Sequence, residues 1–228
     1  MKYTLANPTL DAQIAEILQK IRLSMNGIVS GQMTQNGIIY KKNYGVSIPR
    51  IKEIASAYTP NHDLALRLLN LQIRETIIMS TLLEPFDTYN PSLAHSLVES
   101  FNQIEIVEQA CMNLFCKLSW SPTICQEWIK SDNVWIKITG YVLAARIVEK
   151  LNHTQIKGII HEVVKISDTD NYHLYKAAGL CLSRFCLKNN ETATAIMKEI
   201  TPYEQSSFIG QQYILNEVKQ EILFMDIL

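Results

Sequence analysis

The sequence predicts an all-α fold, an α–α superhelix in which antiparallel helix pairs stack into a right-handed solenoid. Apolar residues recur at i, i+3, i+4 and i+7 along the chain, whereas no period-two run is flanked by a glycine-containing hairpin turn. The helical segments are short and are joined by capped turns, so a pair occupies roughly 40 residues, the period of HEAT-like and armadillo-like repeats. A compact helical bundle is the alternative fold.

Helix starts and stops divide the first part of the chain. Asn26-Gly27 closes the first helix, and Ser47 is expected to cap a helix that has Pro49 in its first turn. The glycine-rich stretch 27–45 is predicted to be an irregular or short helical connection. Asn61 or Asp63 opens the next helix. Together these signals predict helices at about 10–24, 47–55, 61–69, 73–83 and 90–101.

The clearest periodicity lies at 104–118, where apolar side chains fall on one stripe of a predicted helix. The stripe contains Ile104, Val107, Cys111, Leu114, Phe115 and Leu118. Beyond it, Ser121-Pro122 starts another helix, and Asp132 is expected to cap the one after that. The remaining helices are predicted at about 121–129, 133–151, 152–166, 171–187, 191–200 and 203–223.

Length and composition indicate one repeat domain spanning residues 1–228, since a solenoid grows by adding repeats. Charges interrupt every apolar stretch, which argues against a membrane protein. No apolar run follows Lys2, so we expect no signal peptide and a cytoplasmic location. The five cysteines lack metal-ligand spacing and are expected to be core residues without disulfides; no metal or other cofactor is expected.

Five groups of short motifs follow one another along the chain. They are YGVSIPRIKEIA at 44–55, LALRLL at 64–69 with IRE at 73–75, FNQIEIVE at 101–108, Trp128 and Ser131 with WIKI at 135–138, and KAAGLCL at 176–182. Taken in order, these motifs resemble those of the DNA alkylation repair glycosylases, the AlkD-like family of HEAT-like repeat proteins. The resemblance covers about residues 9–220, and each motif alone is weakly specific.

This resemblance implies a protein that binds double-stranded DNA and removes alkylated purines, using an aspartate flanked by tryptophans and an arginine. At the matching positions this chain has Ile104 for the first tryptophan, Glu108 for the aspartate, Lys137-Ile138 for the arginine pair and Leu180 for the second tryptophan. The implied active site is therefore degenerate, and only its carboxylate remains.

Glu108 is the candidate catalytic residue. A fixed carboxylate stabilises the positive charge that develops on the sugar when a base leaves, as in glycoside hydrolysis. The alternative is structural, because Glu105 and Glu108 also complement the positive N-terminal end of their helix.

A predicted basic face supplies the candidate DNA-binding residues, since the formal net charge of −1 gives no global attraction for DNA. His173, Lys176, Leu180 and Arg184 share one side of a helix. Lys137, Lys41 and Lys42 extend the set of phosphate-binding candidates. An ordinary solvated face is the alternative.

The tryptophans and the motifs of other enzyme classes give no further candidate site, and one rival function remains. Trp120, Trp128 and Trp135 are predicted to be core residues rather than stacking platforms. Motifs for phosphate loops, nucleophile elbows and metal sites do not occur. The rival function is a non-catalytic HEAT-like scaffold that binds a protein partner on its concave face.

Overall fold

The fold is all-α, as predicted. The structure is a computed structural model that describes residues 6–225, and this range contains thirteen α-helices. Within it no strand forms; an isolated parallel bridge joins Lys42 and Ile73. Lys2, on which the expected absence of a signal peptide depended, lies outside the described residues.

The helices are named in chain order. Those of the N-terminal part are α1 (Pro8–Leu23), α2 (Gly27–Gln35), α3 (Ile48–Ala55), α4 (His62–Asn70) and α5 (Arg74–Leu83). They are followed by α6 (Pro91–Val98), α7 (Ile104–Asn113), α8 (Ser121–Ile129), α9 (Val134–Arg146), α10 (His153–Ile166), α11 (Tyr172–Cys186), α12 (Asn190–Ile200) and α13 (Ile209–Met225).

Asparagine caps most of these helices. An asparagine side chain accepts a hydrogen bond from a first-turn backbone N–H at the start of α1, α2, α4, α6, α9, α10, α11 and α12. Such a bond satisfies one of the backbone donors that a helix start leaves open, typically contributing about 1 kcal/mol. The caps explain why so many helix starts were predictable from the sequence.

Some predicted helix ends were wrong. Asn133 caps α9 in place of Asp132, and Ser47 occupies the N-cap position of α3 without a side-chain cap bond. Helix α7 ends at Asn113 because Leu114 leaves helical geometry, and a 3₁₀ turn at 115–117 follows. Further 3₁₀ turns at 148–150 and 201–205 shorten the helices predicted to include them. Periodicity alone does not detect these tighter turns.

The chain divides into two compact units, Met1–Tyr89 and Asn90–Leu228. In the first unit, α5 packs against α3 and α4, and α1 packs against the same two helices. Its core contains Ile17, Ile21, Ile51, Leu64, Leu68, Ile78 and Met79. One repeat domain across residues 1–228 stays a prediction.

The second unit has two layers of helices. Helices α7, α9, α11 and α13 pack side by side in one layer, and α8, α10 and α12 form the other. Successive pairs α8–α9, α10–α11 and α12–α13 thus stack in the manner predicted for helix repeats. This arrangement places one face of α7, α9, α11 and α13 together.

The core of the second unit contains most of the residues predicted to be structural. Cys111, Cys125, Cys181 and Cys186 are buried and free, and Cys116 is half-buried and free. Trp128 is buried and packs edge-on against Phe115, with ring centroids 5.2 Å apart. Trp120 and Trp135 are only half-buried, so the prediction of a core role fits Trp128 better than the other two.

Candidate active site

A pocket of about 360 Å³ opens in the second unit where α7, α9, α11 and α13 meet. Helices α7, α9 and α11 supply the apolar lining of the pocket, which consists of Ile104, Val142, Ala177 and Leu180. Its polar lining consists of Glu108, Tyr172, His173, Lys176, Tyr213 and Glu217. The pocket therefore joins aromatic rings, two carboxylates and a cation.

Helix α11 presents five pocket residues, and three of them follow from its helical phase. His173, Lys176 and Leu180 lie at i, i+3 and i+7, on one side of the helix, and all three line the pocket. The opposite side packs into the core through buried Leu174, Ala178, Cys181 and Phe185. The amphipathic pattern of α11 thus fixes which side chains reach the pocket.

Aromatic rings form one wall of the pocket. His173 packs against Trp135 of α9, with ring centroids 5.3 Å apart, and against Tyr172 at the same distance. Tyr175 continues the series to Tyr213 of α13, with centroids 5.1 Å apart. These separations are typical of favourable aromatic pairs.

Close packing of α13 on α11 places Tyr213 at the pocket. Gly179 of α11 has no side chain, and a Cβ atom there would lie 3.2 Å from Cε1 of Tyr213. The Tyr213 hydroxyl donates a hydrogen bond to Oε2 of Glu217 at 3.0 Å. Burial and the neighbouring Glu217 carboxylate raise the pKa of Tyr213 to about 12, so this hydroxyl keeps its proton at neutral pH.

Lys176 is held between two tyrosine rings. Its ammonium group donates a hydrogen bond to the Tyr172 hydroxyl at 3.1 Å and lies 4.9 Å from the Tyr172 ring centroid. The Tyr213 ring centroid is 5.8 Å away. The hydrogen bond to Tyr172 raises the pKa of Lys176, so the cation is charged at neutral pH.

Glu108 lies at the rim of the pocket with its side chain exposed. Although the side chain reaches solvent, surrounding protein atoms displace part of its water, and this desolvation raises the pKa of Glu108. The positive charges of Arg146 and Lys176 act in the opposite direction, and the Glu105 charge adds to the increase. The pKa of Glu108 is thus set by partial desolvation, which raises it, and by two nearby cations, which lower it.

His173 is mainly neutral at neutral pH. Burial lowers the pKa of its imidazole, and the nearby Lys176 charge lowers it further. The imidazole is therefore mainly a neutral aromatic group in the pocket lining.

Arg146 is the α9 cation that acts on the pocket carboxylate. It is four residues beyond Val142, which lines the pocket, whereas Lys137 is five residues before Val142 and about 140° away around the helix. Lys137 is half-buried and lies outside the pocket lining, and Ile138 is buried in the core. Lys137 and Ile138, which occupy the positions where the resemblance implies arginine, thus give the pocket no cation. Arg146 was not predicted from the sequence.

The other candidate phosphate-binding residues lie away from the pocket lining. Arg184, one turn beyond Leu180 on α11, forms an ion pair with Glu221 of α13 at 3.2 Å. Lys41 and Lys42 are exposed residues of the first unit. Of the predicted site residues, the structure therefore brings Glu108, His173 and Lys176 together.

Metal sites and membrane-spanning helices are both absent from the described residues. Across residues 6–225, no group of three or more His, Cys, Asp or Glu side chains has an arrangement that could hold a metal ion. In the same range, every helix is too short or too polar to cross a membrane.

Comparison with known proteins supports the repeat fold and the family. Residues 19–201 match the family described as DNA alkylation repair enzyme. No curated protein sequence matches the chain significantly. A solved structure described as "A new family of proteins related to the HEAT-like repeat DNA glycosylases with affinity for branched DNA structures" is similar, with a TM-score of 0.77, 11% sequence identity, and coverage of 93% of this chain and 95% of that chain.

The low sequence identity means that this structural likeness establishes the fold alone, which is the predicted HEAT-like repeat architecture. The family match is more extensive, because it runs through most of the chain and includes α7, α9 and α11, three of the four helices that line the pocket. The chain belongs to the DNA alkylation repair enzyme family.

Proposed function

We propose that this chain binds double-stranded DNA and is an alkylpurine DNA glycosylase whose active site departs from the family pattern. The observation that carries the proposal is the position of Glu108 at the rim of an aromatic-walled pocket, beside Lys176. The pocket receives the damaged base, and Glu108 faces the deoxyribose to which that base is attached.

The chemistry follows from the charge on the substrate. A purine alkylated at a ring nitrogen such as N3 or N7 is cationic, so it stacks favourably on electron-rich rings such as Tyr172 and Tyr213. When the N-glycosidic bond breaks, the base takes the bonding electrons and the sugar becomes positively charged. The ionised Glu108 stabilises that charge and orients water, whose oxygen bonds to the sugar while its proton is released.

In this proposal, other residues replace the tryptophans and the arginine that the resemblance implies. Ile104 and Leu180 give apolar contacts at the positions where the resemblance implies tryptophan, and Tyr172 and Tyr213 supply aromatic surface. Arg146 supplies positive charge to Glu108, in place of an arginine at 137 or 138. These replacements retain an aromatic and electrostatic pocket with different residues.

DNA binding in this proposal depends on local cations. Lys176 and Arg184 contact phosphates along α11, Lys137 is a further candidate, and the adjacent Lys41 and Lys42 are alternatives for one more phosphate contact. His173 contributes a neutral ring at the pocket. The affinity for branched DNA stated for the structurally similar protein makes a junction a second probe beside an ordinary duplex.

The decisive experiment is single-turnover release of methylated purines from alkylated duplex DNA. Glu108→Gln keeps the size of the side chain and removes its charge, so it should lower the release rate by about 100-fold or more. Glu105→Gln, on the same helix, is the matched control and should retain most of the activity. Equal rates for wild type and Glu108→Gln would refute the catalytic role.

Binding is measured separately by fluorescence anisotropy with a duplex and a branched DNA at several salt concentrations. Salt-dependent binding without base release would leave a DNA-binding repeat protein that does not excise bases. Folded protein that binds neither DNA at low ionic strength would refute DNA binding and favour the protein-partner scaffold.

A further inference from the structure

Helix α2 of the first unit buries none of its residues. Exposed apolar side chains flank its start, with Leu23 80% exposed and Ile28 77% exposed. Because most helices are stabilised by burying an apolar face, a helix without one must be held by other contacts.

The loop that follows α2 supplies those contacts. The backbone N–H of Asn26 donates to the Tyr44 carbonyl at 2.8 Å, and the Ser30 hydroxyl donates to the Asn43 carbonyl at 3.0 Å. The Asn43 amide also donates to Sδ of Met33 at 3.3 Å. Helix α2 and residues 42–46 therefore form one module joined by polar contacts.

A buried ion pair anchors this loop from the inside. Glu75 is fully buried and accepts hydrogen bonds from the backbone N–H groups of Tyr44 and Val46, each at 3.2 Å. Arg74, also buried, donates to Glu75 and to the Val46 carbonyl, at 3.1 and 2.8 Å. Gly45 has φ +69°, and a Cβ atom there would collide with the Asn26 carbonyl oxygen. The loop is thus fixed in one conformation.

The fixed loop presents Lys42 beside the phenol of Tyr44, and Arg22 of α1 acts on the same phenol. The Lys42 ammonium lies 4.8 Å from the Tyr44 ring centroid. Interaction with Lys42 first, and with Arg22 to a lesser extent, lowers the pKa of the Tyr44 hydroxyl. Arg22 and Lys42 are both exposed.

The carboxylates of the adjacent helix α1 are engaged with other cations. Glu16 forms an ion pair with Lys20 at 2.7 Å, and Asp11 forms one with Arg67 at 2.8 Å. The cluster around Tyr44 is therefore positive in charge.

We propose that Arg22, Lys42 and Tyr44 form a preorganised site for one phosphate of the DNA backbone. The inference rests on the DNA binding proposed above. A guanidinium, an ammonium and a phenol hydroxyl are all hydrogen-bond donors suited to phosphate oxygens. The loop anchored by Glu75 holds Lys42 and Tyr44 in place, so little side-chain and loop entropy is lost on binding.

The geometry distinguishes Lys42 from its neighbour Lys41, which is exposed and belongs to the same stretch of basic sequence. Lys42→Ala and Lys41→Ala remove the same charge at adjacent positions, so diffuse attraction predicts equal effects. A built site predicts unequal effects.

The experiment measures duplex affinity against salt concentration for wild type, Lys42→Ala, Arg22→Ala and Lys41→Ala. One lost phosphate contact lowers the salt-dependence slope by about 0.9, which corresponds to about eightfold weaker binding near 0.1 M salt. We expect both changes for Lys42→Ala and for Arg22→Ala. For Lys41→Ala we expect binding to weaken by about twofold or less. Tyr44→Phe keeps the ring and should weaken binding about threefold to tenfold.

Three results would overturn the site. Equal slopes for Lys41→Ala and Lys42→Ala, in folded variants, would leave only diffuse attraction while DNA binding itself stands. Loss of binding to anionic lipid vesicles in Lys42→Ala, with unchanged DNA affinity, would assign the cluster and its exposed apolar neighbours to a membrane surface. Wild type that binds no DNA would refute the site together with the proposed function.

Discussion

Replacing Glu75 with glutamine removes a buried negative charge that accepts hydrogen bonds from three donors. These are the backbone N–H groups of Tyr44 and Val46 and the Nη1 atom of Arg74. The amide of glutamine has the same shape as the carboxylate of glutamate, but an NH₂ group replaces one of the two carboxylate oxygens. That NH₂ group is a donor placed where the structure needs an acceptor. Arg74 keeps its bond to the Val46 carbonyl and loses the charge that opposes its own.

The structure gives the expected magnitude. Breaking a buried ion pair by removing one partner costs about 3–5 kcal/mol, because the other charge stays buried without compensation. Leaving a buried backbone donor unsatisfied costs about 1–3 kcal/mol, and the two losses overlap. We therefore expect Glu75→Gln to destabilise the 42–46 loop by about 3–5 kcal/mol, a large share of the 5–15 kcal/mol typical of a folded protein.

Native-state hydrogen exchange at the Tyr44 and Val46 amides measures this loss directly. Since 1.4 kcal/mol is a factor of ten, protection at these amides should fall by at least about 100-fold. Glu53→Gln is the control, because Glu53 forms an exposed ion pair with Arg50 that should contribute less than about 1 kcal/mol. A fall of less than tenfold in folded Glu75→Gln would refute the claim that Glu75 anchors the loop.

Three further predictions concern the second unit. Glu108 should titrate above an ordinary glutamate, and Arg146→Ala should raise its pKa further by removing an opposing charge, as followed by carboxyl-carbon NMR. Base release should then fall as the pH drops through this raised pKa, because only the ionised form stabilises the sugar; a pH-independent rate would contradict the mechanism. Cys116, half-buried, should react first with a thiol reagent, and faster labelling of buried Cys181 would contradict the packing, which raises the pKa of that thiol.

Local signals made much of the fold predictable from the sequence. Apolar spacing identified the helices, and asparagine caps such as Asn61 and Asn171 marked where they begin. Helix ends were less predictable, because Leu114 leaves helical geometry although its buried side chain continues the apolar stripe. A 3₁₀ turn continues the apolar stripe without continuing the α-helix, so the stripe at 104–118 is longer than its helix.

The candidate site was predictable where its residues share a helix. His173 and Lys176 follow from the phase of α11, and Glu108 follows from the resemblance. Tyr213 and Glu217 were missed because the register of α13 against α11 is a long-range property. Gly179 permits that close approach, and a single glycine in a sequence does not identify its partner helix.

Lys176 links binding and chemistry in the proposed function. Its hydrogen bond to Tyr172 fixes its position, and its charge keeps the pKa of Glu108 from rising further. The same cation attracts phosphates, so its removal should affect both DNA affinity and the ionisation of the carboxylate. Glu108 carries no attraction for DNA, so its replacement should separate base release from binding. In the proposed function, Lys176 on α11 thus serves both DNA binding and base release, whereas Glu108 on α7 serves base release alone.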